Sequence, residues 1–216
     1  MVSLFVVPFS GVFSQTEKGQ VLLGISSRYS LNPIEVGISL PDMMSLGFST
    51  VKFKSDDDNT DDSETTKFNC FNLMPKAGYF VIDNLAVGID LQLAMYSMKE
   101  TYDSYTYNDH GTVFSAGPFL RYYFPVSKIM PYLEAGGSFG SAKTTYEYEN
   151  EEEESKMSMN SFSAGAGISA PLGDKVALDL MLGYLSMTMK GKEDNPDNER
   201  MVIGTVGLKF GIVVFL

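Results

Sequence analysis

The sequence predicts an all-β fold: an antiparallel up-and-down transmembrane β-barrel of eight strands. Three observations predict it. Apolar residues alternate with polar or small ones over runs far longer than the roughly 5–6 residues of an ordinary strand. Eight such runs succeed one another from residue 44 onward. Their connections alternate between short turns and long polar segments, as they do in a barrel with turns at one membrane face and loops at the other.

The last run is the clearest. From Val202 to Leu216 every even position is apolar or glycine, while the odd positions include Thr205, Gly207, Lys209 and Gly211. Period two means a strand with one apolar face and one tolerant face. The preceding runs lie at about 44–54, 66–80, 85–101, 111–124, 131–147, 157–171 and 175–190. Their faces follow from the same alternation. Leu85, Val87, Ile89, Leu91 and Leu93 point one way, against Gly88, Asp90 and Gln92. Phe114, Ala116, Pro118, Leu120, Tyr122 and Phe124 oppose Ser115, Gly117 and Arg121; Leu133 and Phe139 oppose Glu134 and Ser138; Leu178, Leu180 and Leu182 oppose Asp179 and Gly183. Small residues gather on the face opposite the apolar row, as a narrow lumen requires. Aromatics gather near the turns (Tyr79, Phe80, Tyr122, Tyr123, Phe124, Tyr132) and near the loops (Tyr96, Tyr102, Tyr146, Tyr148), in the manner of two interfacial girdles.

The short turns are Val81–Asn84, Pro125–Lys128 and Leu172–Asp174; the long acidic segments are 55–65, 102–110, 148–156 and 191–200. Before residue 44 the pattern is open. Val21, Leu23 and Ile25 alternate with Gly24 and Ser26, and Ile34, Val36, Ile38 and Leu40 alternate after Pro33. These runs are either an extra hairpin, giving ten strands, or one strand of an eight-stranded barrel interrupted by an excursion. Residues 1–14 read as a signal-peptide remnant, with Val12 and Ser14 at the small-residue positions of a cleavage site before Gln15. The rest, 15–216, reads as one domain.

Composition narrows the function. The net charge of −11 argues against nucleic-acid binding. The single cysteine, Cys70, excludes an internal disulfide and a cysteine-rich metal site. No apolar run reaches the roughly 20 residues of a membrane helix, and the mean hydropathy of −0.02 is what barrel strands give when lumen-facing residues dilute the lipid-facing ones.

Several phrases resemble the outer-membrane β-barrel domain proteins of Bacteroidetes-type bacteria, small barrels of the OmpA/OmpX-like, porin-family kind. They are Met74-Pro75-Lys76-Ala77-Gly78-Tyr79-Phe80-Val81-Ile82-Asp83-Asn84-Leu85-Ala86-Val87-Gly88, then Gly117-Pro118-Phe119-Leu120-Arg121-Tyr122-Tyr123-Phe124, and Gly207-Leu208-Lys209-Phe210-Gly211. The resemblance covers about residues 44–216. It implies export, insertion by the barrel-assembly machinery and eight strands, but no particular ligand.

Six charged residues fall on the presumed lumen face: Lys76, Asp90, Arg121, Glu134, Asp179 and Lys209. Lys76 and Asp90 are almost equidistant from one turn, Arg121 and Glu134 from the next, and Asp179 and Lys209 lie at similar depth on the last two strands. Neighbours across strands sit about 5 Å apart, so three ion pairs are expected, because an unpaired charge in a dry interior is costly. An eight-stranded barrel has room for little beyond side chains, which makes these pairs a structural plug rather than a selective pore.

The acidic loops, with clusters at Asp56–Asp58, Asp61, Asp62 and Glu64, at Glu149 and Glu151–Glu154, and at Glu193, Asp194, Asp197 and Glu199, suggest at most weak divalent-cation binding. No metal or cofactor site is expected. The only histidine, His110, lies at a loop edge near Ser115, but Ser115 faces the lumen and no triad converges.

The expected function is that of a non-enzymatic outer-membrane protein with a structural or surface-interaction role. Its loops are expected outside and its termini in the periplasm, as a monomer embedded among outer-membrane lipid and lipopolysaccharide. The alternatives are a narrow channel for small solutes, a lipid-modifying enzyme centred on His110, and a soluble lipocalin-like binder with its apolar faces turned inward.

Overall fold

Long alternation commits the chain to extended backbone, and among the described residues nine strands form: β1 (Val21–Ser26), β2 (Leu46–Lys52), β3 (Thr65–Ile82), β4 (Leu85–Thr101), β5 (Thr106–Tyr123), β6 (Met130–Tyr148), β7 (Glu151–Pro171), β8 (Val176–Gly191) and β9 (Met201–Phe215). The structure, a computed structural model, describes residues 15–27, 46–52, 65–101, 106–124, 126, 129–148, 151–192 and 199–216. Strands β3 to β9 pair consecutively and antiparallel, and β1 closes the wall by pairing with both β9 and β3. Closure removes the open edge that a bilayer does not tolerate. No helix among the described residues is long and apolar enough to cross a membrane.

β1 and β2 both pair with β3, at different heights. Ser26 lies opposite Met74, and Leu46 opposite Phe71. The two short strands therefore share one place in the wall, and the barrel has eight places rather than ten. With six and seven residues, each covers only part of the roughly 9–11 needed to cross. Within the run at 44–54, Leu46–Lys52 is thus the upper part of the first wall strand, and Val21–Ser26 supplies the lower part. The alternation at Ile34–Leu40 lies outside the described residues, as do 1–14.

Two expected loops turn out to be largely strand. β5 begins at Thr106 and takes in His110, while β7 begins at Glu151, so Glu151–Glu154 pair in register with Tyr148–Thr145 instead of forming a loop. The ladder pairing continues through both segments and extends past the apolar band. Segments 55–64, 102–105, 149–150 and 193–198 lie outside the described residues, with Asp56–Asp58, Asp61, Asp62, Glu64, Glu149, Glu193, Asp194 and Asp197 among them.

The apolar rows face outward. Ile89, Leu133, Phe139, Phe162, Leu182 and Val206 are all exposed. A soluble ligand-binding barrel needs these rows inside, so the lipocalin-like alternative fails. At the short-turn end, the tight turn Asp83-Asn84 holds Asn84 at φ 67°, a left-handed conformation that asparagine tolerates well. Residues 15–20 cross this mouth. The Thr16 hydroxyl donates to Asn84 Oδ1 (2.7 Å), Lys18 N–H donates to Asp83 Oδ1 (2.8 Å), and Gln15 Nε2 donates to the Gly173 carbonyl (3.0 Å). The β3–β4 and β7–β8 turns are half a circumference apart in the strand order, so the segment straps one to the other.

Candidate functional site

The lumen-facing parity of each strand brings all six predicted charges to one level of the barrel. Ladder register sets two contacts directly. Lys76 lies opposite Asp90 and Arg121 opposite Glu134; Lys76 Nζ is 3.4 Å from Asp90 Oδ1, and Arg121 Nη2 is 2.5 Å from Glu134 Oε2. The third expected pair is rearranged. In the ladder Lys209 faces Met181, while Asp179 faces Gly211. Arg121 Nη1 donates to Asp179 Oδ2 (2.5 Å), and Lys209 Nζ reaches across the lumen to Glu134 Oε1 (3.3 Å). Lys76 Nζ also donates to Glu134 Oε2 (2.7 Å).

The result is one network rather than three hairpin pairs. Glu134 is its hub, in contact with Lys76, Arg121 and Lys209. Three cations meet three carboxylates, so the cluster is formally neutral. Five of the six are buried; only Asp90 is partly open. Burying such charges is tolerable when each is paired and hydrogen-bonded, and costly when one partner is removed.

Beneath and around the ions lies an aromatic floor. The Arg121 guanidinium sits over the Tyr132 ring at 4.1 Å, its Nη1 donates to Tyr123 Oη (2.9 Å), and Lys76 Nζ lies 4.3 Å from the Phe119 ring centre. Phe80, Tyr123 and Phe215 contact one another with ring centres 5.9 to 6.3 Å apart. Four of the aromatics assigned by composition to girdles thus face the lumen: Phe80, Tyr123 and Tyr132 in the floor, and Tyr96 above it, whose hydroxyl meets Thr144 Oγ1 at 3.1 Å. Tyr79, Tyr122 and Phe124 do face outward. Parity carried the missed signal, since Phe80, Tyr123, Tyr132 and Phe215 share the parity of Lys76, Arg121, Glu134 and Lys209 on their own strands.

Glycines make space for these large groups. Gly24 is the ladder partner of Lys76, and a Cβ there would stand 2.9 Å from Lys76 Cγ. Gly167 faces Tyr132, and its Cβ would stand 2.5 Å from the ring. Among the ions lies a cavity of about 10 Å³, lined by Ser26, Lys76, Arg121, Tyr132, Asp179 and Lys209. That is about the space of one water.

Above the network the lumen is lined by small polar groups. Ser138 Oγ bonds Ser161 Oγ (2.7 Å), and Ser115 Oγ donates to Gln92 Oε1 (3.3 Å). His110 is exposed on β5, opposite Ser97 and Thr145, whereas Ser115 is buried inside. The described residues contain no group of three or more acidic, histidine or cysteine side chains placed to hold a metal.

Residues 42–210 match the profile of the outer membrane protein beta-barrel domain. Among solved structures, the N-terminal β-barrel domain of Pseudomonas aeruginosa OprF is 14% identical, with 92% of this chain and 98% of that one covered and a TM-score of 0.38. Neisserial surface protein A (NspA) is 15% identical over 90% and 95% of the two chains, with a TM-score of 0.36. No curated protein matches the sequence. The profile spans well over half of the chain, which belongs to the outer-membrane β-barrel domain family.

Proposed function

We propose that this outer-membrane barrel is a non-enzymatic envelope protein with a closed lumen, acting through its wall and its long-loop end rather than by conducting solutes. One observation carries the reading: Glu134 joins Lys76, Arg121 and Lys209 across the lumen, and the cavity beside them, lined by Lys76, Arg121, Tyr132, Asp179 and Lys209, holds about 10 Å³, less than any solute larger than water requires. The separation of His110 from the lumen-facing Ser115 supports the non-enzymatic part. The family resemblance supports a Bacteroidetes-type envelope, a signal peptide removed on export, insertion by the assembly machinery, termini in the periplasm and long loops outside. A monomer with weak divalent-cation binding at its acidic loops completes the proposal.

Planar-bilayer recording tests it. The wild-type protein is expected to give no stable conductance steps, and a Glu134→Ala, Phe215→Ala double variant to give them. Clear ohmic steps from the wild type would defeat the closed-lumen reading and favour a narrow channel.

A further inference from the structure

Above the hydroxyls of Ser138 and Ser161 the lining of the lumen turns to sulfur. On β7, Met157 and Met159 continue the inward parity of Ser161, whose hydroxyl meets Ser138 inside the barrel. On β8, Met187 and Met189 continue the inward parity of Asp179, and on β9 Met201 continues that of Lys209. The register among these strands is unbroken from the ion network up to this height. Met159 is buried, Met157, Met187 and Met189 are half-buried, and Met201 is exposed toward the long-loop end.

The ladder sets these side chains next to one another. Met159 lies directly opposite Met189, and Met189 directly opposite Met201, so one rung carries methionine on three adjacent strands. Such partners have Cβ atoms about 5 Å apart. Met187 and Met157 stand one inward position below and above this rung, about 7 Å along their strands. Methionine is unbranched and flexible, so its sulfur spans gaps of this size and the sulfurs converge on one point. The other inward positions of the block are Ser161, Gly191 and Ile203, none of them charged. Five of the chain's 13 methionines thus occupy one patch.

Thioether sulfur is a ligand of another kind from carboxylate, imidazole or thiolate. It is neutral, carries no proton and is soft, so it selects Cu(I) over zinc, calcium or magnesium. Methionine also serves as apolar filler in cores, but leucine or isoleucine, with better-defined rotamers, fill a fixed space more closely. The layer directly beneath this patch is serine rather than more filler. Two Met-x-Met runs, Met157-Ser158-Met159 and Met187-Thr188-Met189, are paired in register with Met201 beside them. They supply three sulfurs on one rung and one on either side of it, a concentration that only a soft ion uses.

We infer that Met159, Met189 and Met201, flanked by Met157 and Met187, form a thioether site for a single Cu(I) ion, entered from the long-loop end. Neutral ligands leave the ion its charge, and the half-buried position of the patch lets water share it. The site stands whether or not the network beneath it conducts, and in either membrane orientation.

The test titrates the detergent-purified chain with Cu(I) against a competing chelator under anaerobic reducing conditions, with Ag(I) as a redox-inert second probe. Wild type is expected to take one ion, to show sulfur as its main first-shell scatterer in X-ray absorption, and to keep it from about pH 8 to about pH 5, because no ligand has a proton to lose. Met159→Leu with Met189→Leu nearly conserves side-chain volume. It is expected to weaken binding by at least the roughly tenfold that even an outer-shell change costs a metal site. Met95→Leu, on the lipid-facing wall, is expected to leave binding unchanged. Failure of the wild type to bind, or an unchanged affinity in the folded double variant, overturns the inference. So does loss of the ion on Cys70→Ser alone, which assigns it to the thiol. If the double variant does not fold, the wild type decides: a first shell dominated by nitrogen or oxygen, or release of the ion at the acid end of the series, overturns it.

Discussion

Below Gln92 the lumen is filled by long charged and aromatic side chains, each leaning on several others: Lys76, Phe119, Arg121, Tyr123, Tyr132, Glu134, Asp179, Lys209 and Phe215. Above it the ionic network gives way to neutral groups, with Ser115, Ser138 and Ser161 joined by ordinary hydroxyl bonds beside Asn72, Tyr96 and Met159. The two halves differ in how loss propagates. A neutral hydroxyl bond contributes about 1 kcal/mol net, and its neighbours rotate to compensate. A buried charge has no such freedom, because its partners were desolvated on its account.

Glu134→Ala sharpens that difference most. It leaves Lys76, Arg121 and Lys209 without their common carboxylate, and a loss of about 3–5 kcal/mol is expected, read from reversible urea unfolding in lipid vesicles. Ser138→Ala in the upper half is expected to cost about 1 kcal/mol or less. If the two variants unfold at the same urea concentration, the lower network is not the cooperative unit described above.

Packing in the lower half gives the next largest effect. Gly167→Val puts a branched side chain where Tyr132 now lies against the backbone, so overpacking of about 1–3 kcal/mol is expected. The displaced ring would also uncover Arg121, whose guanidinium it carries. The same unfolding assay reads it, together with the Tyr132 fluorescence. An unchanged midpoint would mean that the floor is loosely packed and the cavity larger than its 10 Å³ suggests.

The contrast also explains what the sequence makes legible. Period-two alternation assigns faces at every strand, and symmetric spacing about a tight turn pairs Lys76 with Asp90 and Arg121 with Glu134, since register there is local. Contacts across the lumen have no linear spacing to betray them. Lys76 and Glu134 are 58 residues apart and Lys209 and Glu134 are 75, so the merging of three pairs into one network appears only once the barrel closes. The divided first wall strand is hidden for a related reason: the run at 44–54 reads as a strand in its own right, nothing in the spacing joins it to Val21–Ser26, and only the shared partner β3 shows that Val21–Ser26 and Leu46–Lys52 complete each other. The acidic run Glu151–Glu154 misleads by composition, because it reads as a solvated loop while its backbone continues the ladder against Tyr148–Thr145.

The smallest expected effect lies outside the lumen altogether, at the top of the β6–β7 hairpin. The hydrogen bond from Lys143, reinforced by Lys156, holds the Glu154 carboxyl below its usual range. A depressed carboxylate adds to stability above its ordinary titration range, and that contribution is lost as pH falls through the lowered value. Because Glu154 is solvent-exposed, screening keeps the effect modest. Carboxyl-carbon NMR is expected to show Glu154 titrating below the ordinary glutamate range, and Lys143→Gln is expected to move its midpoint back up toward that range. Acidification should then loosen the upper rungs of β6 and β7 while the ladder around Glu134 keeps its amide protection. Simultaneous loss at both levels would show that the hairpin tip and the lumen network melt as one body, which would erase the distinction between a locally adaptable wall and a cooperative plug.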